Sequence, residues 1–281
     1  MTINCNGKLL DLTTPQVMGI LNVTPDSFYA GSRMQTESDI ANRTQQIIQE
    51  GANIIDIGAY SSRPGASDID IAEECSRLRF GLKIVRQLAP NAIVSVDTFR
   101  SDVARMCVEE FGVDIINDIS AGELDSRMFK TVADLNVPYI IMHMKGTPRT
   151  MQQSPCYTDV TQEVFQYFCS KINLLHSMGV ADIILDPGFG FSKTLSHNYQ
   201  LMGQLEELGQ LNLPLLVGVS RKSMIYKLFE STPEEALNGT SVLNTIALMK
   251  GANILRVHDV KACAEVVKIY VKMTEGLSRK M

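Results

Sequence analysis

A short apolar run that ends in a polar residue and leads into a helix-length segment recurs eight times along this chain. The runs begin near residues 17, 53, 92, 114, 137, 183, 215 and 253. Each is too short for a helix and apolar enough for a strand buried on both faces. Helical segments are predicted at 37–50, 71–88, 101–111, 126–135, 158–178, 195–208, 241–249 and 261–274, with a short extra helix near 224–229. Eight strand–helix units of roughly 25 to 40 residues imply an α/β fold with a parallel sheet. In one domain they point to a closed (β/α)8 TIM barrel. An open doubly wound sheet is the second expectation, but the G-x-G-x-x-G turn it would bring after an early strand is missing. Residues 3–12 read as a small hairpin ahead of the barrel. No linker or low-complexity stretch interrupts the pattern, so a single domain over residues 1–281 is expected.

Composition narrows the function classes. The net charge of −5 provides no basic footprint for nucleic acid. No apolar run approaches the roughly 18 residues of a membrane span, and the first residues lack a signal-peptide core. Six cysteines are scattered with no C-x-x-C pair, which makes reduced thiols in a cytoplasm the expectation. G-x-S-x-G, H-E-x-x-H and P-loop motifs are all missing, which removes support for hydrolase, zinc-protease and NTPase readings. His176 and His197 fall on or near helices and read as solvent-facing.

The polar residues at the ends of the runs form a pattern. They are Asn22, Ser62 with Arg63, Asp97, Asn117, His143, Asp186, Lys222, and Arg256 with His258. In a closed barrel the C-terminal strand ends converge on one face, where such enzymes place their sites. Two sub-sites follow from the chemistry. Asp97, Asn117 and Asp186 can pair with the edge of a fused pyrimidine, as a carboxylate pairs with guanidinium. Arg63, Lys222, Arg256 and His258 can hold an anion such as a diphosphate. The loop after the seventh run, with its short helix, is a common phosphate position in barrels. Asn22, with diphosphate oxygens and water, can ligate magnesium. The sixth run continues as D-P-G-F-G-F-S-K, residues 186–193. It sets an acid beside glycines and two aromatic rings, a mouth suited to a flat, nitrogen-rich heterocycle.

Eight strings carry a resemblance: MGILNVTPDSF (18–28), DIGAYSSRPGA (56–66), VSVDTFR (94–100), INDIS (116–120), MHMKGTP (142–148), LDPGFGFSK (185–193), GVSRKS (218–223) and LRVHDV (255–260). Together, and in this order over almost the whole chain, they resemble the dihydropteroate synthase family. The resemblance implies a pterin-binding barrel that joins a dihydropterin-methyl diphosphate to 4-aminobenzoate, on the route to folate. It also implies Mg2+, a homodimer and inhibition by sulfonamides. By the same resemblance Asn22 is magnesium-linked, while Asp97, Asn117, Asp186 and Lys222 hold the pterin. Arg256 lies against the pterin and meets the diphosphate, with His258 as its anion-binding partner. Ser62, Arg63 and Pro64 form the second-loop segment, and Phe191 and Ser220 lie near the aminobenzoate. Met142 and Gly218 complete the substrate contacts. Asp97, Asp186, Lys222 and Arg256 are the implied catalytic set.

The second loop departs from the family. It reads A-Y-S-S-R-P-G where many relatives carry a glycine, an acid and a threonine before R-P-G. Ser62 keeps a hydroxyl, and Tyr60 replaces a charge. Two other functions stay open at this point. One is a pterin-binding methyltransferase that passes a methyl group from methyltetrahydrofolate to a corrinoid partner, which should lack S-R-P-G and G-V-S-R-K-S. The other is a barrel that binds pterin without catalysis.

Overall fold

The computed structural model describes residues 1–24, 36–61, 68–153 and 155–278. A hairpin of β1 (Thr2–Cys5) and β2 (Lys8–Asp11) comes first, then β3 (Gln16–Asn22) and α1 (Glu37–Gln49). The chain continues through β4 (Ile54–Gly58), α2 (Ile71–Leu88), β5 (Ile93–Asp97), α3 (Ser101–Phe111), β6 (Ile115–Asp118) and α4 (Met128–Leu135). Next are β7 (Tyr139–Met142), α5 (Val160–Ser177), β8 (Ile183–Asp186) and α6 (Leu195–Gly203). The last third holds β9 (Leu216–Val217), α7 (Ser223–Tyr226), α8 (Leu237–Met249), β10 (Ile254–Val257) and α9 (Val260–Ser278).

Strands β3 to β10 form one sheet in the order β8-β7-β6-β5-β4-β3-β10-β9, and its strand pairs are parallel. The two ends of that order meet. A parallel bridge joins Leu185 to Leu215, and the Leu185 N–H donates to the Pro214 carbonyl at 2.8 Å. The predicted barrel is therefore what forms, with helices between its strands.

Side-chain alternation along each strand sorts the residues into two cores. Val17, Ile55, Val94, Ile116, Ile141, Leu185, Val217 and Leu255 belong to a cluster shared with helix residues such as Ile47, Leu82 and Val164. Their neighbours Met18, Ile54, Ile115, Ile140, Ile184, Leu216 and Ile254 make a second cluster, inside the ring. The hairpin joins that inner cluster through Ile3, Cys5, Leu10 and Leu12. Asn4 N–H bonds Asp182 and Lys8 Nζ bonds Asp114, the residues just before β8 and β6, so the hairpin covers the N-terminal end of the barrel. Two residues further along the inward face of the same strands stand Asp56, Asn117, Met142, Asp186, Gly218 and Arg256. The barrel is thus dry at one end and polar at the other.

Helix starts follow capping chemistry. Thr36, Asp70, Asp159 and Thr194 accept backbone N–H bonds in the first turns of α1, α2, α5 and α6. Several predicted boundaries differ by a few residues, α9 running on to Ser278 among them, and two of the differences are instructive. The helix expected over 195–208 stops at Gly203 and continues as a 3-10 segment, Leu205–Leu211, which ends at left-handed Asn212. The helix expected from 241 starts at Leu237. Gly239, which reads as a breaker, is there for a close approach: a Cβ on it would lie 2.4 Å from Ile225 Cγ2 of α7. No helix among the described residues is long and apolar enough to cross a membrane.

Candidate active site

Register sets the floor of the polar end. Asn22 pairs with Gly58, Gly58 with Asp97 and Asp97 with Asn117, a row across four strands. Asp186 pairs with Met142 on the far side. Arg256 reaches across the ring from β10. Its Nε donates to Asp56 Oδ2 at 2.6 Å and its Nη2 to Asp97 Oδ2 at 2.7 Å. Asn117 Nδ2 donates to the same Asp56 oxygen at 3.2 Å.

One cleft opens above this floor. Asn22, Asp97, Lys222 and Arg256 line it, with Phe191, Ser220 and His258. Asn117, Met142 and Asp186 are buried beneath. Gly218 lies under the cations: a Cβ there would be 3.8 Å from Arg256 Cβ and 3.9 Å from Lys222 Nζ. Ser62, Arg63 and Pro64 fall outside the described residues. Of the predicted rim residues, His143 does not join the cleft. It is buried, and its Nδ1 lies 3.0 Å from Lys193 Nζ. The reason is local: Lys193 also donates to the Gly188 and Phe191 carbonyls, so the pair braces the loop after β8 from within. Gly188 makes that loop possible, because a Cβ on it would sit 2.1 Å from the His143 carbonyl oxygen at φ +72°.

The loop after β9 is held as firmly. Arg221 adopts left-handed φ +53°. Its guanidinium makes two bonds to Asp259, at 2.8 and 2.9 Å, and two more to the Pro233 and Glu234 carbonyls. Ser220 and Lys222 flank it, so this pair ties their loop to the start of α9. Lys222 then turns inward. Its Nζ donates to the Phe189 carbonyl at 2.5 Å and stands 4.7 Å from the Phe191 ring centre.

Burial and neighbouring charge tune these groups. Burial raises both Asp97 and Asp186 above the usual carboxylate range, against the pull of Arg256 on the first and Lys222 on the second. Burial lowers Lys222 to about 8, with Asp186 opposing the shift. Burial alone would lower Arg256, but the Asp56 and Asp97 carboxylates more than reverse this and keep it charged. Burial, followed by the nearby Arg256, brings His258 down to about 3. His258 was expected to act among the cations. Its Nδ1 lies 3.1 Å from Ser220 Oγ.

Asp56 escaped the list of rim residues, which named only strand ends. Its signal was an acid inside the apolar run 53–57, since a charge in a buried strand requires a partner. Met151 and Tyr226 also line the cleft and were not singled out. Tyr60 lines the cleft too. It packs edge-on against Phe99 with ring centres 4.9 Å apart, and bonds Asp68.

No group of three or more His, Cys, Asp or Glu side chains that could hold a metal occurs among the described residues. What the rim offers a cation is the Asn22 amide close to Asp97. A Cβ on Gly58 would lie 3.7 Å from Asn22 Oδ1 and 3.3 Å from Asp97 Cβ. This donor set fits an ion that keeps water and takes ligand oxygens, as magnesium does, rather than one needing a full protein cage.

Residues 18–258 match the pterin binding enzyme family. The dihydropteroate synthase of Escherichia coli K12 is 43% identical over 273 residues, covering 96% of this chain and 95% of that one. Among solved structures, Yersinia pestis dihydropteroate synthase in complex with a sulfonamide drug superposes with a TM-score of 0.92 at 40% identity, over 98% of this chain and 100% of that one. The Xanthomonas albilineans enzyme with 4-aminobenzoic acid gives 0.87 at 36% identity, over 97% and 98%. A match over most of the length, with relatives this similar at nearly full coverage, means that the chain belongs to the pterin binding enzyme family as a dihydropteroate synthase.

Proposed function

We propose that the chain condenses (7,8-dihydropterin-6-yl)methyl diphosphate with 4-aminobenzoate, giving 7,8-dihydropteroate and diphosphate. The observation that carries this reading is the joining of the part-buried Asp97 and the buried Asn117 and Asp186 to the cations Lys222 and Arg256 at one rim. The acids and amide suit the aminopyrimidinone edge of the pterin. Lys222 and Arg256 suit the diphosphate, with the neutral His258 adding a hydrogen bond. Arg63 belongs to the same proposal. Phe191 and Ser220, which line the cleft, suit the aminobenzoate, and Ser62 and Pro64 belong to the same proposal. Met142 and Gly218 shape the base beneath the cleft.

The bond from the pterin methylene carbon to the diphosphate oxygen breaks, and the electron pair leaves with diphosphate. Lys222 and Arg256 stabilise that departing charge. The methylene carbon becomes electron-poor, and the carboxylates of Asp97 and Asp186 favour the cation spread over the pterin ring. The neutral arylamine nitrogen attacks this carbon and then loses its proton to solvent. Asn22 is the residue that would hold Mg2+, which when bound supplies further neutralisation of the diphosphate.

The supporting experiment mixes the chain with both substrates and magnesium and measures diphosphate. Release that requires both substrates supports the proposal; methyl transfer without diphosphate release would replace it. Sulfonamides are expected to compete with 4-aminobenzoate, since the Yersinia relative was solved with such a drug. We also infer a homodimer, from the exposed apolar residues Val242 and Met249 on α8 and Ile269 and Met273 on α9, two helices packed together. A single sedimenting species at the monomer mass would remove that inference. A cytoplasmic setting fits six cysteines that remain unpaired.

A further inference from the structure

We propose that Asp56 is a positioning residue for this reaction: it sets the orientation of the Arg256 guanidinium and the Asn117 amide beneath the substrate. The idea rests on the function proposed above.

Asp56 lies in the middle of β4, fully buried, and does not line the cleft. With 0% of its surface exposed, against 4% for Asn117 and 6% for Asp186, Asp56 is the acid that a ligand in the cleft does not reach. Arg256 divides its donors between the two acids, Nε to Asp56 and Nη2 to Asp97. Asp97, with 24% of its side chain exposed, is the partner a pterin can recruit. Asp56 is the partner that stays. Since guanidinium is planar, a fixed Nε limits how far the rest of the group can turn.

Asn117 is oriented by the same atom. The amide faces Asp56 with its NH2 group, since Nδ2 donates to Oδ2. Its carbonyl oxygen then points elsewhere, and the residue has an acceptor to present to the ring edge above. One buried oxygen thus aligns two groups from strands β6 and β10, on different sides of β4 in the ring.

Stability does not account for Asp56. Its second oxygen, Oδ1, is buried with no hydrogen-bond partner among the described residues. A buried acid with half its acceptors unused is costly, and an apolar residue like its neighbours Ile55 and Ile57 would fill the strand at less expense. A positional role explains why the strand carries an acid there.

A double-mutant cycle tests this, with kcat read from diphosphate release and Asp56→Asn made in two backgrounds, the native chain and Arg256→Lys. Asp56→Asn is nearly isosteric, and circular dichroism with a thermal melt reports whether each variant folds. If it does not fold, Asp56→Ser takes its place in the cycle. Expected is a loss of kcat of about 50-fold in the native background and under about 5-fold in Arg256→Lys, where the Nε donor is already gone. The KM for 4-aminobenzoate should stay within about 2-fold throughout, because that substrate lies away from the floor. Equal losses in both backgrounds, or no loss in the native one, would overturn the proposal while leaving the function intact. No diphosphate from the native chain would overturn the function, and this inference with it.

Discussion

The two ends of the barrel are built by the same strands and obey opposite rules. Ile54 and Asp56 share β4, point the same way and stand two residues apart, as do Ile254 and Arg256 on β10. At the N-terminal end the inward side chains are apolar and the hairpin covers them. At the C-terminal end they include Asp56, Asp97, Asp186 and Arg256, and Arg256 is cross-linked by ion pairs to Asp56 and Asp97. The first end stabilises the ring by burial, roughly 25 cal/mol for each Å² of apolar surface removed from water. The second gains little from its ion pairs once desolvation is counted. Stability and chemistry are therefore separated by about one turn of the pleat.

The sharpest way to break this comparison is to remove a cation from the polar end. Lys222→Ala or Arg256→Ala should lower kcat/KM by about 10³-fold, near 4 kcal/mol, with the barrel still folded by circular dichroism. Near-normal kinetics in both would mean the polar end is not where the chemistry happens. The converse change is Ile254→Ala at the dry end. It should cost about 2–5 kcal/mol in a denaturant titration while the folded fraction keeps its kcat, since the cavity lies below the substrate. A folded but inactive Ile254→Ala would show that the two ends are mechanically coupled.

A pH profile sharpens the electrostatic side. Lys222 is shifted down from its ordinary value to about 8, so its cationic form exists below that pH and fades above it. The rate kcat/KM should fall as pH rises through about 8 in the native chain. Lys222→Arg keeps its charge at every accessible pH, so its residual activity should lack that alkaline limb. A limb at the same pH in both would assign it to another group. The smallest effect is expected at the outer wall, from Tyr60→Phe. It deletes the hydroxyl bonded to Asp68 and leaves the ring on Phe99. The KM for 4-aminobenzoate should change by no more than about 3-fold, with kcat unaltered.

Much of this was legible before folding because parallel strands buried on two faces appear as plain apolar runs, and their polar stops appear as breaks. Asn22, Asp97, Asn117 and Asp186 were found that way. Asp56 was not, because it interrupts a run instead of ending one. His143 stands at a strand end like the others, yet its neighbour Lys193, fifty residues later, draws it inward. Gly239 has the local look of a helix break and lies inside α8, because only the packing of α7 against it explains the missing side chain.

The chain's own order of residues thus determines how many units there are, where each turns, and which chemical groups arrive at the turns. Those are local properties of period, capping and glycine content. Tertiary structure decided the rest. Leu185 meets Leu215 only when the sheet curls fully round, and Arg256 finds Asp56 across 200 positions of chain. Such partners are chosen by strand register and ring closure, which depend on all eight units at once and leave no mark on any one of them.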